Sequence, residues 1–256
     1  MIGENCEVLV VGAGPVGLVA GIDLAQRGID AMVVDMRTSF DPLTVRCNHI
    51  SSRSMEIFRR LGFADKVRSG GFSDDFPHDV SIRLTTTGQE MGRIKIPGRQ
   101  ARLDGEKGPD SWWPTVEPPH RMNQIFLEPI LQKVAEGTKG LRLCFDREVV
   151  GLKQQNETVV ASINSSDGTA RQITCRFLIG CDGGASLTRK QIGARFEGDA
   201  VIQRVQSSFI RAPGLTERML AEPCWAVLNI NPRRSGTVYT IDNDDRFLVH
   251  LSLIHI

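Results

Sequence analysis

Several things are scarce in this sequence. Its longest uncharged run, Val8 to Ile22, is fifteen residues long and carries four glycines. A bilayer span takes about twenty mostly apolar residues, and no basic stretch or small-residue cleavage site precedes the run. Neither a transmembrane helix nor a signal peptide is expected. The six cysteines (Cys6, Cys47, Cys144, Cys175, Cys181, Cys224) never fall at two-residue spacing, and the five histidines form no helical pair around a glutamate. A zinc site is therefore unsupported, and free thiols in a reducing cytoplasm are the expected state. An excess of one charge is lacking too. Lys and Arg number 31 against 30 Asp and Glu, so no global field steers the chain to nucleic acid or an anionic membrane. Glycine (25) and proline (12) are too few among 256 residues for a collagen-like or disordered chain. There is no internal repeat and no low-complexity tract.

What is present is ordinary globular material: 41% hydrophobic and 24% charged residues. At roughly 150 residues per domain, the length allows one large domain or two interleaved ones. Residues 7–12 read as a valine-rich strand, 16–26 as a small-residue helix stopped by Gly28, and 31–35 as a second strand. A strand–helix–strand unit of this size predicts a parallel sheet covered by helices. Further helices are predicted over 52–61 and 123–136, the latter in conflict with Pro129. Residues 80–96 alternate as a hairpin with one buried face. Residues 97–120 show no period and read as a structureless binding loop or lid, with Trp112 and Trp113 either packed under it or in contact with substrate. From residue 148 short strands follow at 149–152, 158–163, 172–175 and 177–180. More strands are expected at 205–210, 226–230, 238–241 and 247–253, as one antiparallel sheet.

Chemistry is carried first by Gly12-Ala13-Gly14-Pro15-Val16-Gly17, which follows a strand and opens a helix. Gly12 permits the tight turn, Gly14 lets a pyrophosphate approach the backbone, and Gly17 lets helix and strand pack closely. The helix N-terminus adds unpaired N–H groups and a positive dipole end. Asp35, ending the next strand, suits a ribose diol and disfavours a 2′-phosphate, so FAD or NAD fits better than NADP. The bland alternative is a glycine turn with no ligand. The second motif is Cys181-Asp182-Gly183-Gly184 with Ser186 and Arg189, directly after an apolar strand. Asp182 there meets a ligand or caps the next helix. Arg46 and Gln124 by themselves read as a surface arginine and a first-turn glutamine.

Four stretches taken together resemble the FAD-dependent aromatic hydroxylases, the single-component flavoprotein monooxygenases related to para-hydroxybenzoate and phenol hydroxylase. They are VLVVGAGPVGLVAGIDLAQRGI with Asp35, RCNHISSRSMEIFRRLGF, RMNQIFLEPIL, and CRFLIGCDGGASLTRKQIG. The likeness spans about residues 5 to 200. It implies a Rossmann-like α/β FAD-binding domain with a β-meander, covering 1–74 and 119–197. An antiparallel-sheet substrate domain over 75–118 and 198–256 would be interleaved with it. It implies that Gly12, Gly14, Pro15, Val16 and Gly17 form the pyrophosphate turn and that Asp35, more often Glu in the family, serves the adenosine ribose. By the same likeness Arg46 lies along the flavin's phosphate and ribityl region, Gln124 touches the cofactor, and Val149 offers a backbone contact to adenine. Asp182 and Gly183 would contact FAD and bear on NAD(P)H binding. The family's later Gly-Asp-Ala-Ala-His motif is missing. Gly198-Asp199-Ala200 comes too soon after Asp182 and lacks the histidine, so a C-terminally truncated chain is expected.

The implied reaction uses NADPH or NADH and dioxygen to hydroxylate a phenol-like ring through a flavin hydroperoxide. The flavin carries the chemistry, which agrees with the lack of any triad or carboxylate pair. No catalytic residue is assigned; His78, His120 and Asp110 are the candidate bases for ionising a phenol. The expected partners are a small aromatic substrate and dioxygen, with a homodimer left open and a cytoplasmic location. Rival readings are a flavin-dependent halogenase or prenyl reductase on the same fold, or an inactive fragment.

Overall fold

The computed structural model describes residues 3–38, 45–109, 112–199 and 201–252. In chain order the elements begin with β1 (Gly3–Val11), α1 (Pro15–Gln26), β2 (Ala31–Val34), α2 (Ser52–Arg60) and α3 (Ala64–Arg68). There follow β3 (Val80–Arg83), β4 (Glu90–Ile94), α4 (Arg99–Leu103), α5 (Gln124–Glu136) and β5 (Leu141–Cys144). Then come β6 (Glu148–Gln155), β7 (Thr158–Asn164), β8 (Ala170–Gly180), α6 (Leu187–Gln191) and β9 (Val205–Arg211). The last are α7 (Leu215–Arg218), β10 (Ala226–Asn229), β11 (Gly236–Thr240) and β12 (Arg246–Ser252).

These elements build a mixed α/β fold with two six-stranded sheets. The first has the order β5-β2-β1-β8-β7-β6. Its strands β5, β2, β1 and β8 are parallel, and β7 and β6 continue from β8 as an antiparallel meander. Parallel strands are covered on both faces and so read as unbroken apolar runs. Ala31–Val34 is buried at every position, and Leu9, Val11, Met32, Val34, Ile163 and Ile173 share one core cluster. Burying a side chain of this kind stabilises by about 1.5–3 kcal/mol.

The second sheet has the order β4-β3-β10-β11-β12-β9. The four strands expected at its centre and edge, β9 to β12, pair antiparallel throughout, and β3 joins β10 in parallel. Val227, Val238 and Phe247 pack on one face with Met219 and Cys224.

The chain divides into two units, Met1–Leu43 with Leu127–Gly198, and Thr44–Phe126 with Asp199–Ile256. Residues 44–74 and 119–126 thus group with the second sheet, whereas the sequence-based division put them with the first.

Other differences have local causes. The two strands expected at 172–175 and 177–180 are one strand, β8, because Arg176 is exposed and lies over the Phe177 ring, so its charge breaks nothing. The strand β5 and the short helices α3 and α7 were not foreseen, while α6 is the helix expected after Asp182. The loop 97–120 contains α4, tied down when Arg102 Nε donates to the Pro97 carbonyl at 3.0 Å and Arg99 Nη1 to the Gly70 carbonyl at 3.1 Å. Trp112 is 91% exposed and not packed, while Trp113 lies under the Arg102 guanidinium. In α5 the helix runs through Pro129, whose ring costs the bond to the Ile125 carbonyl without ending the helix. All six cysteines are free thiols. Among the described residues no helix is long and apolar enough to cross a membrane.

Candidate functional site

In the first unit the turn after β1 is pinned from both sides. Gly12 N donates to the Val34 carbonyl and Cys181 N to the Val11 carbonyl, each at 2.7 Å. The ends of β2, β1 and β8 therefore meet at the turn, the place where open parallel sheets hold ligands. Gly12 has φ +104°, and a Cβ there would stand 2.4 Å from the Cys181 carbonyl oxygen. A Cβ on Gly17 would stand 1.8 Å from the Gly12 carbonyl oxygen. Gly14 differs: a Cβ there would meet nothing within 4 Å. The space above Gly14 is open, and Gly14 is the N-cap of α1 with no side-chain cap and Pro15 just inside. The helix thus presents backbone donors and its positive end without a protein acceptor supplied by the cap, and Val16 beside it is exposed. These features fit a pyrophosphate.

Asp35 follows β2 and is 8% exposed. Its Oδ2 accepts from Ala13 N at 2.6 Å, which joins the acid to the turn. Its backbone joins the turn before β6: Asp35 N donates to the Cys144 carbonyl at 3.0 Å, and Arg147 N donates to the Asp35 carbonyl at 2.8 Å. Val149 stands two residues further on, half-buried in β6 at a bulge. The structure thus brings Gly12, Gly14, Pro15, Val16, Gly17, Asp35 and the segment leading to Val149 together.

Asp182 and Gly183 follow β8. Asp182 Oδ1 accepts from Ser186 Oγ at 2.6 Å, and Oδ2 accepts from Thr188 N at 3.0 Å and Thr188 Oγ1 at 3.2 Å. Burial pushes the Asp182 carboxyl up, but the bonds from Ser186 and Thr188 more than offset this and hold it below the usual carboxylate range. Asp182 thus braces the entry to α6, whose N-cap is Ser186, with Ser186 Oγ accepting from Arg189 N at 2.9 Å. Gly183 takes φ +76°.

Arg46 and Gln124 belong to the second unit and come together there. Arg46 is exposed, and its carbonyl accepts from Asn123 Nδ2 at 3.4 Å. Gln124 N donates to the Cys47 carbonyl at 2.9 Å. Asn123, which sequence reasoning missed, organises this pair. It also bonds Asn48, and its Oδ1 accepts from Ile125 N at 3.1 Å, starting α5. The available signal was an asparagine one residue before a helix.

Both histidines named as candidate bases are buried. His78 is 1% exposed, and its ring nitrogens have no hydrogen-bond partner among the described residues. Burial, with Arg121 and Arg102 nearby, pushes its pKa down to about 3. His120 is buried, and burial followed by the charges of Arg68 and Arg99 pushes it down to about 3 as well. A general base must reach the proton it takes, and these rings are sealed in the protein. Asp110 lies outside the described residues. Sequence reasoning also missed an aromatic row in the second unit. Tyr239 stands 5.1 Å from Trp225 and 5.3 Å from His250 between ring centroids.

Comparison with known proteins agrees with this geometry. The family described as FAD binding domain matches residues 5–254. The 2,4-dichlorophenol 6-monooxygenase of Cupriavidus pinatubonensis is 31% identical over 193 residues, covering 75% of this chain and 31% of that protein. A flavin-dependent monooxygenase of Mycobacteroides abscessus is 31% identical over 214 residues, covering 81% of this chain and 42% of its own. The substrate-free rebeccamycin biosynthetic enzyme RebC superposes with a TM-score of 0.86 at 26% identity, covering 100% of this chain and 48% of RebC. The chain spans less than half the length of each of these relatives. Matched over residues 5–254, the chain belongs to the FAD binding domain family.

Proposed function

We propose that the first unit holds the adenosine diphosphate part of FAD, with the pyrophosphate over the Gly12–Gly17 turn. The whole protein would then be an NAD(P)H-dependent monooxygenase that hydroxylates a small phenol-like ring. The observation that carries the reading is the open space above Gly14 at an uncapped helix N-terminus. Any side chain closing that space would take the place of a phosphate oxygen. Arg46, Gln124, Asp182 and Gly183 are proposed as further cofactor contacts, and Val149 as a backbone contact to adenine. When bound, FAD would supply the redox chemistry for an oxygenation that consumes NAD(P)H and dioxygen. The chain's part is to bind, orient and exclude water. The Trp225, Tyr239 and His250 row offers an aromatic ring edge and face contacts. The names of chlorophenol monooxygenases among the relatives favour a phenolic substrate.

The test is the absorbance spectrum of the purified chain, followed by chromatography of the released flavin. Blue and near-ultraviolet bands and a released dinucleotide are expected. A colourless protein that does not take up added FAD would end the reading. In the longer protein, phenols should stimulate NAD(P)H oxidation.

A further inference from the structure

The carboxylate of Asp35 has no acceptor site left. Oδ1 accepts from Arg37 N at 2.8 Å and Arg37 Nε at 3.0 Å. Oδ2 accepts from Ala13 N at 2.6 Å and Arg37 Nη2 at 3.3 Å. A carboxylate offers about four lone-pair sites, and these four donors fill them. Asp is also one methylene shorter than Glu, and its head group is drawn back against the turn and buried. A ribose diol that needs a carboxylate to accept its protons finds none open here.

Arg37 is held from three directions. Besides Asp35, its Nη2 donates to the Ala13 carbonyl at 3.3 Å and its Nη1 to Glu128 Oε2 at 3.2 Å. Glu128 lies on α5, 91 residues along the chain, and is itself buried. A guanidinium carries five N–H donors in a rigid fork. These contacts engage Nε, both Nη2 hydrogens and one on Nη1, leaving one Nη1 hydrogen, on a side chain that is 36% exposed. Two carboxylates around one guanidinium leave the cluster with one net negative charge, so it stays unfavourable to a 2′-phosphate.

We propose that Arg37, clamped by Asp35 and Glu128, is the group that meets the adenosine ribose, donating to a hydroxyl oxygen. Asp35 acts behind it, bracing the glycine turn through Ala13. The inference rests on the dinucleotide reading above and adds two residues, Arg37 and Glu128, to its binding machinery.

The test uses calorimetric titration of the whole chain with FAD, ADP and 2′,3′-dideoxy-ADP. Wild type should prefer ADP over the dideoxy form by about tenfold, the worth of one hydrogen bond to a charged donor. Arg37→Ala should weaken FAD and ADP by a similar factor and bring the ratio near one. Arg37→Lys, which keeps the charge without the fork, should fall between. A merely structural loss would weaken both nucleotides alike and leave the ratio intact. Circular dichroism checks that each variant is folded. A ratio kept in Arg37→Ala and lost in Asp35→Asn would overturn the proposal and return the ribose to Asp35. If wild type bound neither FAD nor ADP, the dinucleotide reading itself would fall.

Discussion

Gly17 lies against Gly12 so closely that a Cβ on Gly17 would be 1.8 Å from the Gly12 carbonyl oxygen. The contact is backbone against backbone, so no side chain can move aside. Gly17→Ala should therefore force α1 off β1, at a cost of about 1–3 kcal/mol or more in urea unfolding. Gly14→Ala has open space and a φ of −70°. It should leave stability within about 1 kcal/mol while weakening FAD by at least tenfold. Equal damage to stability from both variants would contradict this geometry.

Asp182 should brace the entry to α6 behind its N-cap, Ser186. Asp182→Asn loses the charge that gathers Ser186 and Thr188, and about 1 kcal/mol of stability should go with it. Because its folded-state pKa is depressed, the contribution is present above the unfolded value of 3.8 and is lost as pH falls through the folded one. In wild type the loss begins below about pH 4. The difference between wild type and variant should therefore shrink in that range, read by denaturant midpoints at several pH values.

His78 and His120 set a second pH dependence, of the same sign from a different cause. Both are neutral when folded, with values near 3, against the ordinary histidine value of 6.5. Below pH 6.5 the unfolded chain takes up protons that the folded chain refuses. Stability should fall from pH 6.5 toward about 3, with a slope of up to about 1.4 kcal/mol per pH unit for each ring. His78→Leu removes a buried ring whose nitrogens have no hydrogen-bond partner among the described residues. It should flatten this limb with little loss of stability at pH 7.5, whereas an unchanged slope would place the charge change elsewhere.

Phe177 is 51% exposed on β8, and Ile192 and Phe196 after it are exposed too. Exposed large apolar side chains promote association. The chain alone should bind a hydrophobic dye and self-associate in light scattering. Phe196→Glu should reduce both without changing the circular dichroism spectrum.

The parts of this fold legible in the sequence were those with a local cause. The glycine turn could be read because positive φ and close approach exclude a Cβ at Gly12 and Gly17. The flanking strands could be read because burial on both faces leaves an unbroken apolar run. The Asp-Gly motif was visible, but the partners of Asp182 were not, since a carboxylate looks the same whether it faces Thr188 or a ligand. The helix α4 was hidden because Arg99 and Arg102 are surface residues by composition. They became anchors only once the Gly70 and Pro97 carbonyls stood within reach.

Sequence by itself determined the strand–turn–helix that can receive a phosphate, because that device depends on residues a few positions apart. Tertiary structure alone decided what Asp35 does. The acid's acceptors are filled by Ala13, 22 residues back, and by an Arg37 that Glu128 holds from 91 residues away. Hydrogen-bond saturation depends on which chain segments meet in space, and no spacing along the chain encodes it.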